Sequence, residues 1–123
     1  MSQIFVVTNE EAALTAMLTV FAEAGYSAAG AATFEDARKW LRSESPDIIL
    51  TDERLGLFNG LHLLLTARAR HPYAALIVTT PDLNRGLEED ARRLNMHCLV
   101  KPENVADWAE AVAELLVPTA RVA

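Results

Sequence analysis

Five short apolar runs, each followed by a stretch whose apolar residues recur at helical spacing, constrain this chain more than any other feature. The runs are Ile4-Phe5-Val6-Val7, the alanine-rich Tyr26 to Ala31, Ile48-Ile49-Leu50, Leu76-Ile77-Val78 and Cys98-Leu99-Val100. Continuous apolar runs of this length are the pattern of strands buried on both faces. After the first, Leu14, Met17, Leu18 and Phe21 predict a helix that stops at Gly25. Thr33 with Asp36 three residues later is a capping signal for a second helix, which buries Phe34, Ala37 and Leu41 or Trp40. Leu61, Leu64 and Leu65 mark a third helix, and Leu87, Ala91 and Leu94 a fourth. Val105, Trp108, Val112, Leu115 and Leu116 mark a fifth. Strands alternating with helices through short connections need crossovers, and right-handed crossovers put helices on both faces of a parallel sheet. The expected class is α/β.

Length allows one such sheet and no more: 123 residues support a single hydrophobic core. The predicted domain is 1–117, with 118–123 (Pro118 to Ala123) as a loose tail. No apolar run has the length of a membrane span, and Met1-Ser2-Gln3 does not open a basic region followed by a long apolar segment. A lone Cys98 has no internal disulfide partner and no metal-binding cysteine pair around it. These features predict a cytoplasmic address and no membrane partner. The formal net charge of −6 argues against a nucleic-acid surface, which needs cations to track phosphates. The acidic residues fall mostly in helical stretches, where solvated faces account for them.

In open parallel sheets, ligands collect outside the carboxyl ends of the strands. Those ends read Thr8-Asn9-Glu10, Asp52-Glu53-Arg54, Thr79-Thr80 and Lys101-Pro102. A carboxylate directly after a buried strand, as at Asp52, can act as a nucleophile toward a phosphoryl group. Thr79 can donate to a phosphoryl oxygen, and Lys101 can pair with its charge as a compact cation. Singly, each has a plainer reading: Asp52 as a turn cap, Thr79 as a satisfied strand-end hydroxyl, Lys101 as a surface lysine. Their weight lies in their falling together at strand ends of one sheet.

With these residues placed, the chain resembles the receiver domains of two-component response regulators over Ile4 to about Leu116. Pro46-Asp47-Ile48-Ile49-Leu50-Thr51-Asp52 looks like the family's third strand with its phospho-accepting aspartate. Gly60 follows at the family's distance before the leucine-rich helix. Leu76-Ile77-Val78-Thr79 resembles the fourth strand with its hydroxyl residue. Val100-Lys101-Pro102 resembles the fifth-strand lysine and a following proline that is commonly cis. The resemblance implies a flavodoxin-like (βα)5 doubly wound sheet in the order 2-1-3-4-5. It implies that Asp52 takes a phosphoryl group from a phosphohistidine, supplied by a histidine kinase or phosphotransfer protein. Thr79 and Lys101 then stabilise the acyl phosphate, and the downstream partner binds the face of the fourth helix, fifth strand and fifth helix.

Several positions depart from the family pattern. Where the family ends its first strand with two acids that hold Mg2+, this chain has Thr8-Asn9. The remaining ligands are Asp52, the Asn9 amide oxygen and the Arg54 carbonyl. Two lost carboxylates weaken a magnesium site substantially, because Mg2+ wants oxygen ligands that include one or two carboxylates. Little or no Mg2+ is therefore expected. The resemblance turns Glu10 aside, into the start of the first helix. Thr80 stands where the family favours a small residue, so its branched side chain is expected to crowd the phosphoryl approach. Gly56 replaces a proline and is expected to loosen its loop. Cys98 stands at the family's switch aromatic, and Glu103 where a phenylalanine is frequent. Arg54 is placed at the pocket mouth, where with Lys101 it neutralises Asp52 in the metal's stead, or else points into solvent.

Two functional classes remain. One is an atypical receiver accepting phosphate on Asp52 with poor metal dependence. The other is a pseudo-receiver, a protein-binding module that works without phosphorylation. An unrelated enzyme on the same fold lacks support, since no Gly-rich phosphate loop, metal cluster or nucleophile–base pair is present.

Overall fold

The computed structural model describes residues 2–117; the expected tail, 118–123, lies outside the described residues. Five strands form one parallel sheet: β1 (Gln3–Val7), β2 (Ser27–Ala31), β3 (Ile48–Asp52), β4 (Ala75–Thr80) and β5 (His97–Val100). They lie in the order β2-β1-β3-β4-β5, and every neighbouring pair is parallel. Helices α1 (Glu11–Glu23), α2 (Phe34–Ser43), α3 (Gly60–Arg70), α4 (Arg85–Arg93) and α5 (Trp108–Leu116) fill the crossovers and close the chain.

The period-two pleat divides the core. Ile4, Val6, Ile48, Leu50 and Ile77 face α1 and α5, where Met17, Phe21, Trp108 and Val112 meet them. Phe5, Val7, Ile49, Leu76 and Val78 face the other way, under Phe34, Ala37 and Leu41 of α2, Leu63, Leu64 and Ala67 of α3, and Leu87 and Ala91 of α4. Trp40 and Leu41 both pack inward. Leu41 is buried, and the Trp40 ring stacks on Phe5 with centroids 4.0 Å apart.

Two helical stripes differ from their predicted form. In α3 the buried set is Gly60, Leu63, Leu64 and Ala67, whereas Leu65 is exposed and Leu61 half-buried. Spacing of three, four and seven makes one coherent helical face, and Leu61 with Leu65 forms the edge beside it. At the C-terminal end, Val105 belongs to a single 3-10 turn, Val105–Asp107, and α5 begins only at Trp108. Val105 is left exposed.

Helix ends follow local chemistry. The Asp36 N–H donates to the Thr33 hydroxyl at 3.0 Å, as predicted. Asn59 and Asn84 cap α3 and α4 in the same way, accepting from Leu61 N and Leu87 N at 2.7 and 3.0 Å. At Gly25, with φ +102°, α1 ends in a Schellman arrangement: Tyr26 N–H donates to Phe21 O and Gly25 N–H to Ala22 O. Asn95, φ 59°, closes α4 with the same pair of bonds, from Met96 N–H to Ala91 O and from Asn95 N–H to Arg92 O. The buried His71 ring lies 2.9 Å from the Leu41 carbonyl through Nε2, tying the end of α3 to α2.

Candidate functional site

Register decides which strand-end residues meet. Asp52 of β3 is aligned with Thr79 of β4, and Val7 of β1 with Thr51, so Thr8 arrives beside Asp52 on the other side. Thr8, Asp52, Thr79 and Lys101 continue the pleat positions of Val6, Leu50, Ile77 and Leu99, all on the α1/α5 face. Backbone bonds hold these edges in line: Thr8 N–H to Ala31 O, Glu53 N–H to Thr79 O, and Lys101 N–H to Thr80 O, at 3.2, 2.9 and 2.9 Å.

The Asp52 carboxylate is engaged by three side chains. Thr79 Oγ1 donates to Oδ1 at 3.0 Å, and Lys101 Nζ pairs with the same oxygen at 3.1 Å. Thr8 Oγ1 donates to Oδ2 at 2.6 Å. The Asp52 side chain is 13% exposed, so it is enclosed on most sides and still reachable. It opens into a broad cavity of about 760 Å³ lined by Asn9, Glu10, Arg54, Thr80, Arg85 and Lys101 among others.

Gly60 sits behind Asp52 for a reason of space. Its N–H donates to Glu53 O at 2.7 Å, and a Cβ added there lies 2.0 Å from the Asp52 carbonyl oxygen. No side chain fits between α3 and the end of β3.

The remaining expected residues divide. Arg54 is exposed on the cavity rim, and among the described residues the ion pair of Asp52 is made with Lys101, not with Arg54. Thr8, on the opposite side of the carboxylate, takes up the second oxygen instead. Asn9 and Glu10 are exposed, and Glu10 is the N-cap residue of α1 with no side-chain capping bond. Thr80 lies on the pleat opposite Thr79, is buried, and donates its hydroxyl to Asp82 O at 3.0 Å. That bond ties the side chain to the loop before α4 and turns its hydroxyl away from Asp52. Gly56 lies in a defined turn. Arg54–Leu55 and Phe58–Asn59 pair as a small antiparallel ribbon, and Gly56, φ 64°, is the first residue of its two-residue turn. A proline, held near −65°, cannot adopt that conformation. Stacking of Phe58 on Phe34, with centroids 4.7 Å apart, anchors the ribbon to α2.

Cys98, half-buried on β5, packs against the α2–α4 side of the core. Burial pushes its thiol pKa up, with the charges of Glu88 and Glu53 adding to the effect. The Lys101–Pro102 peptide is trans, since no cis bond occurs among the described residues.

Response regulator receiver domains match residues 4–113 of this sequence, most of its length. The chain belongs to the response regulator receiver family. Solved structures agree on the fold. A CheY-like receiver domain from Methanospirillum hungatei JF-1 superposes with a TM-score of 0.82 at 23% identity, covering 93% of this chain and 92% of that one. Vibrio cholerae chemotaxis protein CheY4 gives 0.84 at 17% identity, with 94% and 99% covered. A response regulator from Burkholderia pseudomallei, solved with a phosphorylated aspartic acid, a calcium ion and citrate, gives 0.78 at 22% identity, with 100% and 78% covered. No curated protein sequence matches. Receiver domains are in general signalling modules without an enzymatic activity of their own, and they act with histidine kinases or phosphotransfer proteins. Among the described residues no helix is long and apolar enough to cross a membrane.

Receiver domains bind Mg2+ in an acidic pocket for phosphorylation. The donors here do not fit that ion. Asp52 is the one carboxylate at the centre of the pocket, and it already accepts two hydrogen bonds, from Thr8 and Thr79, and pairs with the Lys101 cation. Among the described residues no group of three His, Cys, Asp or Glu side chains is placed to hold a metal.

Proposed function

We propose that this receiver accepts a phosphoryl group on Asp52 in a cytoplasmic two-component phosphorelay, with little dependence on Mg2+, and signals onward through protein–protein contacts. The observation that carries this reading is the convergence of Thr79 Oγ1 and Lys101 Nζ on one oxygen of Asp52, beside an open cavity. A nucleophile, a hydroxyl donor and a cation are the groups that phosphoryl transfer to a carboxylate needs. In the transfer an Asp52 oxygen forms the new P–O bond. The P–N bond to the donor histidine breaks, and its electron pair stays on the imidazole. Lys101 and the Thr79 hydroxyl meet the added negative charge. The phosphorylated aspartic acid in the Burkholderia pseudomallei neighbour supports the same role for Asp52.

For the downstream partner, the supporting feature lies at α4, β5 and α5, where Val100 at the end of β5 and Val105 in the turn before α5 are exposed. A second reading, a pseudo-receiver that binds its partner without phosphorylation, is favoured by Cys98. This small, half-buried thiol stands at the switch aromatic's position and has no ring to move. Incubation with a small acyl phosphate, followed by mass spectrometry, separates the two. The first reading expects one added phosphoryl group on Asp52, lost in Asp52→Asn. The second expects no label and partner binding that Asp52→Asn leaves unchanged.

A further inference from the structure

Thr8 directly follows β1, where the receiver pattern has a metal-holding acid. Thr8 is 2% exposed, and its hydroxyl lies 2.6 Å from Asp52 Oδ2. The Thr8 oxygen accepts from the Glu10 N–H at 3.4 Å, which leaves its own proton for the carboxylate. The other carboxylate oxygen is engaged by Thr79 and Lys101. A divalent cation at Oδ2 has to displace the Thr8 proton, Asn9 follows with a neutral amide, and among the described residues no group of three His, Cys, Asp or Glu side chains is placed to hold a metal.

We propose that the Thr8 hydroxyl stands in for the divalent cation at this site. It is a positioning residue: it fixes the Asp52 carboxylate by a short charge-assisted hydrogen bond, and it makes both the pocket and phosphoryl acceptance indifferent to Mg2+. The acceptance half rests on Asp52 being the acceptor, and the cation-binding half does not. Two hydroxyl donors and the Lys101 cation, from three strand ends, hold the carboxylate plane, and lone-pair sites stay open to attack phosphorus. With a small acyl phosphate as donor, an Asp52 oxygen forms the new P–O bond. The bond from phosphorus to the donor's carboxylate oxygen breaks, and that carboxylate leaves with the electron pair. Lys101 and Thr79 balance the charge on the transferred group, while Thr8 prevents Oδ2 from swinging away.

Four proteins test this: wild type, Thr8→Val, Thr8→Ser and Thr8→Asp. Each is labelled with a small acyl phosphate in millimolar Mg2+ and in excess chelator, and titrated with Mg2+ alone while amide NMR shifts are followed at residues 8–10 and 52–54. Wild type is expected to label equally in both conditions and to show no Mg2+-dependent shifts. Thr8→Val, which keeps the shape and loses the hydroxyl, labels about tenfold more slowly with or without Mg2+. Thr8→Ser recovers the rate. Thr8→Asp gains Mg2+-dependent shifts and labels faster with Mg2+ than in chelator. Wild-type labelling that requires Mg2+, Mg2+-dependent shifts in wild type, or a Thr8→Val rate equal to wild type overturns the proposal. If no protein is labelled, Asp52 is not an acceptor. The Mg2+ titration then decides the cation half alone: shifts in wild type overturn it, and shifts confined to Thr8→Asp sustain it.

Discussion

Gly60 and Cys98 show how single positions govern this receiver from just outside its pocket. Gly60 needs no unusual backbone angle; it is required by the Asp52 carbonyl, which a Cβ meets at 2.0 Å. Because the obstacle is backbone, relief means shifting α3 or the end of β3. Gly60→Ala is expected to cost about 1–3 kcal/mol by overpacking, measured by urea unfolding, and to slow Asp52 labelling beyond what the lost stability explains. Unchanged stability and labelling would show that the α3 start yields freely. Cys98 makes a pH prediction. Its thiol pKa is raised in the fold by burial, then by Glu88 and Glu53, from an ordinary value near 9.0. The unfolded chain therefore loses this proton first. The resulting stabilisation is complete below that ordinary value and is lost as pH rises through it toward the folded value. The stability of wild type relative to Cys98→Ser should decline above about pH 9, the unfolded-thiol range, and stay level below it. A difference that is flat across the alkaline range would contradict the raised thiol.

At the scale of elements, the helices are bounded by their caps, and the caps can be altered apart from the site. Gly25 holds α1's end at φ +102°, and a Cβ added there meets nothing within 4 Å, so only its backbone conformation is at stake. Gly25→Ala is expected to lower stability by about 1–2 kcal/mol, the cost of the left-handed conformation for an L side chain. Asp52 labelling by a small acyl phosphate should be unaffected, because this end of α1 lies at the amino edge of the sheet. A labelling defect in a folded Gly25→Ala protein would show coupling that the packing does not provide. The Arg54–Asn59 ribbon is the contrasting element. Its Gly56 turn and the Phe58–Phe34 stack make a short, defined projection beside the cavity. Neither depends on a long apolar run, so apolar patterning alone does not mark the segment as paired strand.

Across the whole molecule, the carboxylate of Asp52 joins three strand ends to its own. Thr8 brings β1, Thr79 brings β4, and Lys101 follows β5. In an acidic pocket, neutralising an aspartate relieves repulsion; in this one, it weakens two hydrogen bonds and removes the charge that pairs with Lys101. Asp52→Asn is therefore expected to destabilise the fold by about 1–2 kcal/mol, taking charge-assisted hydrogen bonds at the low end because the ion pair is partly open to solvent. Thermal and urea unfolding check this. An Asp52→Asn protein more stable than wild type would mean that repulsion from Glu10, Glu53 and Asp82 around the cavity outweighs the two hydrogen bonds and the ion pair.

Much of this receiver is determined by sequence pattern alone. The five apolar runs and the helical spacing between them specify a parallel sheet with helices on both faces, because period-two and period-3.6 burial admit few other arrangements. Thr33 and Gly25 announce their helix ends by chemistry that acts over three or four residues. The meeting of Asp52, Thr79 and Lys101 follows once their strands are known to be neighbours. The bond from Thr8 to Asp52 was decided only by tertiary structure. It depends on the pairing of Val7 with Thr51, which brings side chains 44 positions apart together, and no local pattern encodes a register. The exposed position of Arg54, the buried stripe of α3 and the tether of Thr80 to Asp82 were settled in the same way. Each is a choice between adjacent faces or rotamers, made by whichever neighbours the folded chain brings within hydrogen-bonding or packing distance.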